Sequence, residues 1–146
     1  MATIAEISKK YDLSADTLRY YERIGLIPPV PRNKSGIRDY DETSCGWIEL
    51  MKCLRKAGVQ IEALIEYVKL FQEGEHTAKA RKDILIEQRN LLMDRIEDMQ
   101  QSLERLNYKI DRYDTVILPA LEKLKNSDIQ EDEGFLDKFI NWFNRG

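Results

Sequence analysis

The sequence predicts a mainly α-helical chain. A winged helix-turn-helix head of four helices plus a β-hairpin wing is followed by a long coiled-coil dimerisation helix. Three observations predict this fold class. Two short, capped helical patterns lie next to each other near the N-terminus. A proline-rich stretch then interrupts the helical pattern. Further along, an apolar heptad repeat continues for five heptads without glycine or proline.

The first two helices are predicted from the capping residues at their starts. Thr3 followed by Glu6 is a capping-box pattern and predicts a short first helix. Ser14 is a good N-cap for a second helix over about 15–24, which Gly25 ends. Two short helices joined by a tight turn, the second rich in Arg and Tyr, indicate a helix-turn-helix motif.

The wing is predicted between residues 27 and 40, where the helical periodicity stops. Three prolines in this stretch exclude a regular helix. The turn signal Lys34-Ser35-Gly36 separates two short extended pieces, 30–33 and 37–40. The pattern therefore predicts a β-hairpin with basic side chains near its tip.

Two further helices complete the predicted head, which covers residues 1–74. The third helix, about 44–57, is capped by Thr43 or Asp41, and the fourth is expected over about 61–73. Their apolar stripes are expected to face one shared core, namely Trp47, Leu50, Met51 and Leu54 in the third helix and Ile61, Leu64, Ile65, Val68 and Phe71 in the fourth.

The dimerisation helix is predicted over 77–118, with Thr77 as its cap. Nine of ten seam positions are apolar or Tyr, and the tenth is Arg89. This stripe is about 50 Å long, too long for a head at one end to cover, so we expect a second copy of the chain to pack on it. The alternative, folding back of the chain's own C-terminal segment, would cover only a little of the stripe. The expected dimer interface is Leu85, Leu92, Ile96, Met99, Leu103, Leu106, Ile110, Tyr113 and Ile117.

The segment 119–146 is predicted to be a short effector or docking segment. Pro119 closes or kinks the long helix, and 127–134 has the composition of an acidic linker. Residues 135–143 form an amphipathic helix too apolar to stay exposed. We expect it to dock on the dimer. The alternative is contact with a membrane surface.

Composition and charge narrow the function classes. The chain lacks an apolar run of membrane-spanning length and a signal peptide, so we expect a cytoplasmic protein. Two cysteines cannot build a disulfide framework. The net charge is −3, yet residues 19–38 contain five basic residues and one acidic residue. Such a stripe suits a phosphate-contacting surface, although an ordinary solvated face has the same charges.

The strings 18–27, LRYYERIGLI, and 32–40, RNKSGIRDY, resemble the MerR family of bacterial transcription regulators. The resemblance covers residues 2–72, and the placement of the coiled coil continues it to about 118. It implies a homodimer that binds a near-palindromic promoter site on double-stranded DNA, with RNA polymerase as a partner on that promoter.

The chemistry of these strings agrees with DNA binding. Arg and Tyr on a recognition helix can bond phosphates and base edges, and basic wing residues can hold the flanking backbone. The periodicity of the second helix predicts that Leu18 faces inward. The alternative for Tyr21 and Tyr40 is a place in the core, and the spacing of Tyr21 from Leu18 favours that place for Tyr21. The resemblance implies DNA contacts by Thr17, Arg19, Tyr20, Arg23, Arg32, Lys34, Arg38 and Tyr40.

Other function classes are disfavoured by the residues present. One His and two distant Cys cannot complete a four-ligand metal site, and we expect no cofactor. After Ile117 only 29 residues remain, too few for a large ligand-binding domain. The sequence shows no catalytic set, so we expect a non-enzyme. A coiled-coil scaffold that does not bind DNA is the alternative function.

The segment 51–58, with Gln88-Arg89 and 106–110, resembles the subgroup that responds to aldehydes and other thiol-reactive electrophiles. That resemblance implies a sensing thiol at Cys53. Neighbouring Lys52, Arg55 and Lys56 would favour its thiolate. The alternative is that Cys53 is a small buried core residue.

Overall fold

A computed structural model describes residues 1–126 and 133–145. The mainly helical fold class is confirmed. A 3₁₀ turn, Glu75–Thr77, and a π turn, Tyr113–Ile117, interrupt the α-helices. In the described residues the α-helices are α1 Ile4–Tyr11, α2 Ala15–Arg23, α3 Glu42–Lys56, α4 Ile61–Glu73, α5 Ala78–Asp111, α6 Leu118–Asn126 and α7 Glu133–Asn144.

The first three helices begin at side-chain caps. The Thr3 hydroxyl accepts the backbone N–H of Glu6 at 3.2 Å, and the Ser14 hydroxyl accepts that of Thr17 at 3.0 Å, which confirms both predicted starts. The sequence left two candidate caps for α3, and the structure selects Asp41, whose carboxylate accepts the N–H of Ser44 at 2.8 Å.

The chain divides into two compact units, residues 1–92 and 93–146, and the division lies inside α5. The 3₁₀ turn at the predicted boundary near residues 74–77 packs on α4. The Thr77 hydroxyl lies 2.7 Å from the Leu70 carbonyl, and Gln88 accepts the Gln60 N–H at 3.3 Å. Thr77 is thus a buried anchor in the 3₁₀ turn.

The core of the first unit is built from α1 to α4 and the segment after α2. Leu50 and Phe71 do not join it as predicted, since both are exposed. Ile48 takes the inward place beside Met51, and Phe71 packs edge-on against Trp47 with ring centroids 5.0 Å apart. The buried cluster is Ile7, Leu18, Leu26, Ile27, Val30, Tyr40, Ile48, Met51, Val59, Leu64 and Val68.

We define the wing as residues 30–40. Within the described ranges it holds no β-strand, so a two-stranded hairpin is not confirmed. Its two legs are joined by one antiparallel bridge between Arg32 and Arg38, and the Asn33 N–H donates to the Ile37 carbonyl at 2.8 Å. Prolines near its start have no backbone N–H to donate to a neighbouring strand. In the turn, the Asn33 side chain accepts the N–H groups of Ser35 and Ile37.

The predicted seam of α5 is an exposed apolar row up to the end of the helix. Ile117 is the exception: it is 4% exposed within its own chain, so it has little surface left for a partner. The π turn explains this correction, because its extra residue rotates Ile117 off the seam by about 100°. The exposed seam residues are Leu85, Ile96, Met99, Leu103, Leu106, Ile110 and Tyr113, with Leu92 partly exposed.

Residues 133–144 form the predicted C-terminal helix, and α7 packs on the last turns of α5 in the same chain. The indole N–H of Trp142 donates to the Lys109 carbonyl at 3.1 Å. In this contact the C-terminal segment folds back on the long helix of its own chain. Most of the predicted linker, 127–132, lies outside the described residues. In the described part of the chain, no helix is long and apolar enough to cross a membrane.

Candidate nucleic-acid interface

The helices α1 and α2 form a tight helix-turn-helix. The turn passes through Asp12 in the left-handed conformation, φ 53°, and the Leu13 N–H donates to the Ser8 carbonyl at 3.1 Å. Leu18 is completely buried and fixes the inner face of α2. The outer face of α2 is therefore presented to solvent as a rigid surface.

Three predicted contact residues lie on this outer face. Arg19, Tyr20 and Arg23 are all exposed, and the Arg23 guanidinium lies 5.4 Å from the Tyr20 ring centroid. Arg19 pairs with Asp16 at 3.0 Å, but Asp16 is 96% exposed. A pair so open to water is weak, so Arg19 can exchange it for a phosphate or a base edge.

Thr17 is held closer to the protein. Its hydroxyl lies 2.8 Å from that of Ser14 and is half-buried at the start of α2. Its first role is therefore in the local cap.

The wing presents its charge at an ordered tip. The Arg32 guanidinium donates to the Gly36 carbonyl at 2.9 Å, and this bond closes the turn between the two legs of the wing. Gly36 has φ 79°, a conformation that favours glycine. Lys34 and Ile37 are exposed at the tip. The tip thus carries two cations and one apolar side chain into solvent.

Arg38 is placed differently from the prediction, because it is engaged inside the head. Its Nε donates to the Glu22 carboxylate at 2.7 Å, and the second carboxylate oxygen accepts the Val30 N–H at 2.9 Å. Burial opposes ionisation of Glu22, but these hydrogen bonds and the charges of Arg38 and Arg32 outweigh it and lower its pKa. Arg38 joins the wing to α2.

The prediction that Tyr40 contacts DNA is wrong for this structure. Its backbone pairs with Ala2, which turns the ring into the core, and the residue is 1% exposed. Its hydroxyl is buried and makes no hydrogen bond with the described residues. Burial raises the pKa of Tyr40, and nearby Glu22 raises it further, while Arg38 and other guanidinium groups oppose them. Tyr40 is therefore a core residue. Tyr21, which we expected in the core, is partly buried against the same core.

Sequence reasoning missed Glu22 and Asn33 as organising residues of this surface. Glu22 had one available signal, since it is the single acid among the basic residues 19–38. Asn33 had the signal of an Asn three residues before a Gly, which is typical of a turn closed by the Asn side chain.

The two cysteines are both free thiols in different settings. Cys53 is exposed on α3, so the buried-core alternative for it is wrong. Two of its basic neighbours are directed to carbonyls, Lys52 to Tyr11 and Arg55 to Val59. Cys45 is half-buried beside Tyr11 and lines a shallow cavity of about 540 Å³. Desolvation, and after it the neighbouring Cys45, raise the pKa of Tyr11.

Across 1–126 and 133–145, no group of three or more His, Cys, Asp or Glu side chains is placed to hold a metal ion.

The chain is similar in sequence and in structure to known transcriptional regulators. Residues 2–70 match the family described as MerR HTH family regulatory protein. The HTH-type transcriptional regulator AdhR of Bacillus subtilis is 59% identical over 91 residues, covering 62% of this chain and 65% of AdhR. The chain thus spans just under two thirds of the length of that relative.

Two solved structures extend the similarity beyond the head. A putative MerR family transcriptional regulator from Listeria monocytogenes has 52% identity and a TM-score of 0.79, covering 86% of this chain and 96% of that one. HiNmlR, a MerR family regulator lacking the sensor domain and bound to promoter DNA, has 27% identity and a TM-score of 0.71, covering 80% and 92%.

Proposed function

The chain belongs to the MerR family of helix-turn-helix transcriptional regulators, and from this premise we propose that it binds promoter DNA as a homodimer. The observation that carries the proposal is the exposed Arg19, Tyr20 and Arg23 face of α2 beside the cationic tip of the wing. An α-helix of this kind fits the major groove, and the wing cations fit the adjoining phosphates.

In this proposal each head binds one half of a near-palindromic site, and RNA polymerase is the partner on the same promoter. Segment 30–40 acts as the wing although its legs share a single bridge. Thr17 and Arg38 support the surface from behind, and the direct contacts come from Arg19, Tyr20, Arg23, Arg32 and Lys34. The protein acts in the cytoplasm, the compartment that holds the promoter. It regulates transcription and catalyses no reaction, as its relatives' names suggest.

The exposed row along α5 is the proposed dimer interface. An apolar row of this length in water favours a partner, and a second copy of the same helix offers a complementary row. The three-part organisation, with head 1–74, dimerisation helix 77–118 and C-terminal segment 119–146, belongs to this proposal. The residues proposed for the interface are Leu85, Leu92, Ile96, Met99, Leu103, Leu106, Ile110 and Tyr113.

We further propose that an electrophile switches the regulator by modifying Cys53. With an α,β-unsaturated aldehyde, the thiol would lose its proton to solvent and the thiolate sulfur would form a bond to the β-carbon. The carbon–carbon π electrons move to an enolate, which takes a proton from water. The support is the exposure of this thiol on α3.

The experiment that tests DNA binding is selection from genomic fragments. The purified protein is incubated with sheared DNA of its source organism at fixed salt, and the bound fragments are sequenced. We expect enrichment of a near-palindromic motif in promoters. The control is the Arg19→Ala/Arg23→Ala variant, which should lose the enrichment. Equal recovery of all fragments by the wild type would instead support the alternative, a coiled-coil scaffold that does not bind DNA.

A further inference from the structure

Glu22 joins three parts of the head through one carboxylate. It projects from α2, which carries the proposed base contacts, and it binds both legs of the wing. One oxygen accepts Arg38 Nε at 2.7 Å, and the other accepts the backbone N–H of Val30 at 2.9 Å. Val30 is itself buried in the core, so this link fixes the wing at its base.

The link is shielded from water. The side chains of Glu22 and Arg38 are 14% and 24% exposed, in contrast to the open pair of Asp16 with Arg19 on the same helix. Partly buried hydrogen-bonded pairs lose more when one partner is removed than surface pairs do, because the other partner is left desolvated. The wing therefore depends on Glu22 for its placement relative to α2.

The charge of Glu22 would by itself oppose DNA binding. It is the single acid within the basic stretch 19–38. Removing a negative charge beside a phosphate-binding surface should strengthen binding through electrostatics alone. If Glu22 positions the wing, its removal should weaken binding instead. The two roles thus predict opposite signs for one measurement.

We propose that Glu22 is a positioning residue for DNA recognition, which sets the wing at the spacing from α2 that the duplex requires. The inference rests on the proposed DNA-binding function and adds a residue to it that does not itself contact DNA. Arg38 acts with it, as the wing's half of the link.

The matched test compares Glu22→Gln with Asp16→Asn, since each removes one negative charge from α2. Affinity for the selected DNA is measured from low to moderate salt. We expect Asp16→Asn to bind as tightly as wild type or more tightly. Glu22→Gln should bind at least tenfold more weakly at every salt concentration. Its log–log salt slope should be shallower by about two, because the wing cations Arg32 and Lys34 no longer reach phosphates together.

A second variant keeps the test valid if Glu22→Gln is poorly folded. Glu22→Asp retains the charge but shortens the side chain by one methylene, so it cannot reach Arg38 and Val30 together. We expect weaker DNA binding and faster hydrogen exchange at the Val30 amide, with unchanged exchange at Leu18. If the wild type binds DNA and either Glu22 variant binds it equally well or more tightly, the positioning role of Glu22 is overturned and the proposed function stands. A wild type that binds no DNA would overturn the proposed function as well.

Discussion

Lys109 and Trp142 cap each other's helices at the junction of α5 and α7. The Lys109 ammonium donates to the Trp142 carbonyl at 2.6 Å, and the Trp142 indole N–H returns a bond to the Lys109 carbonyl at 3.1 Å. The ammonium also lies 4.4 Å from the indole ring centroid. Both carbonyls lie in the last turns of their helices, where intrahelical donors run out. The pair satisfies backbone groups that each helix leaves open.

We predict that Trp142→Phe loosens α7. Phe keeps the aromatic surface but removes the N–H, at a cost of about 1 kcal/mol, or about fivefold in the opening equilibrium. Amide hydrogen exchange in α7 should accelerate by that factor, because a helix of this length is marginal without tertiary support. Trp47→Phe, in the other unit, is the matched control and should leave α7 unchanged. Unaltered α7 exchange in Trp142→Phe would show that the indole N–H contributes nothing.

The dimer seam predicts that Leu103→Lys/Leu106→Lys yields monomers. Two charges would enter the proposed apolar interface, and burying an unpaired charge costs far more than the lost contacts. Sedimentation equilibrium measures the mass. Leu91→Lys/Gln101→Lys adds the same charges at exposed positions of α5 outside the seam and should remain dimeric. A Leu103/Leu106 variant that sediments as an intact dimer would place the interface elsewhere.

Arg19→Ala and Arg38→Ala should both weaken operator binding, but with different signatures. Arg19 is held only by its exposed pair with Asp16 and can exchange that pair for a base, so its loss should cost about 1–3 kcal/mol of binding free energy and relax sequence preference without changing stability. Loss of Arg38 leaves the shielded Glu22 without its charged partner, so the free energy of unfolding should also fall by about 1–3 kcal/mol. Urea unfolding and DNA titration on the same samples separate the two. Equal stability of both variants contradicts the structural role of Arg38.

The lowered pKa of Glu22 predicts a stability component that is lost in acid. Because the folded-state pKa lies below the ordinary value of about 4.3, the contribution is complete above that value and disappears as pH falls through the folded value. The wild type should therefore be more stable than Glu22→Gln at pH 7, and the difference should shrink below about pH 4. Urea midpoints across this range measure it. A difference independent of pH would mean that the carboxylate charge is not what stabilises the link.

The exposed thiol predicts selective modification of Cys53. With a limiting amount of an α,β-unsaturated aldehyde, peptide mass mapping should find the adduct at Cys53 before Cys45, which is half-buried. In transcription from the cognate promoter, Cys45→Ser should still respond to the aldehyde, whereas Cys53→Ser should bind DNA but not respond. A full response in Cys53→Ser would remove the thiol from the mechanism.

The features that the sequence predicted correctly are local ones. The caps at Thr3 and Ser14 depend on residues three positions away, and the structure forms both. The burial of Leu18 follows from periodicity within one short helix. Such features need no knowledge of what packs against them.

The features that sequence reasoning missed depend on distant partners. Arg38 pairs with Glu22, sixteen positions earlier, and nothing in the wing itself indicates that bond. The side chain of Tyr40 turns inward because its backbone pairs with Ala2, which lies 38 positions earlier. Ile117 kept a perfect heptad spacing, but the main chain before it does not follow the α-helical period.

The π turn at Tyr113–Ile117 has a consequence for changes in chain length. Its Ile117 N–H reaches the Arg112 carbonyl, five residues back, at 3.4 Å, so the turn holds one residue more than an α-helix would. Deleting one residue here would convert the turn to regular α-helix and leave the following side chains on the faces that they already occupy, because the π turn absorbs the extra residue. The same deletion in the middle of α5 would shift every later seam position by about 100°. Single-residue deletions should therefore be tolerated between residues 113 and 117 and eliminated between 93 and 110.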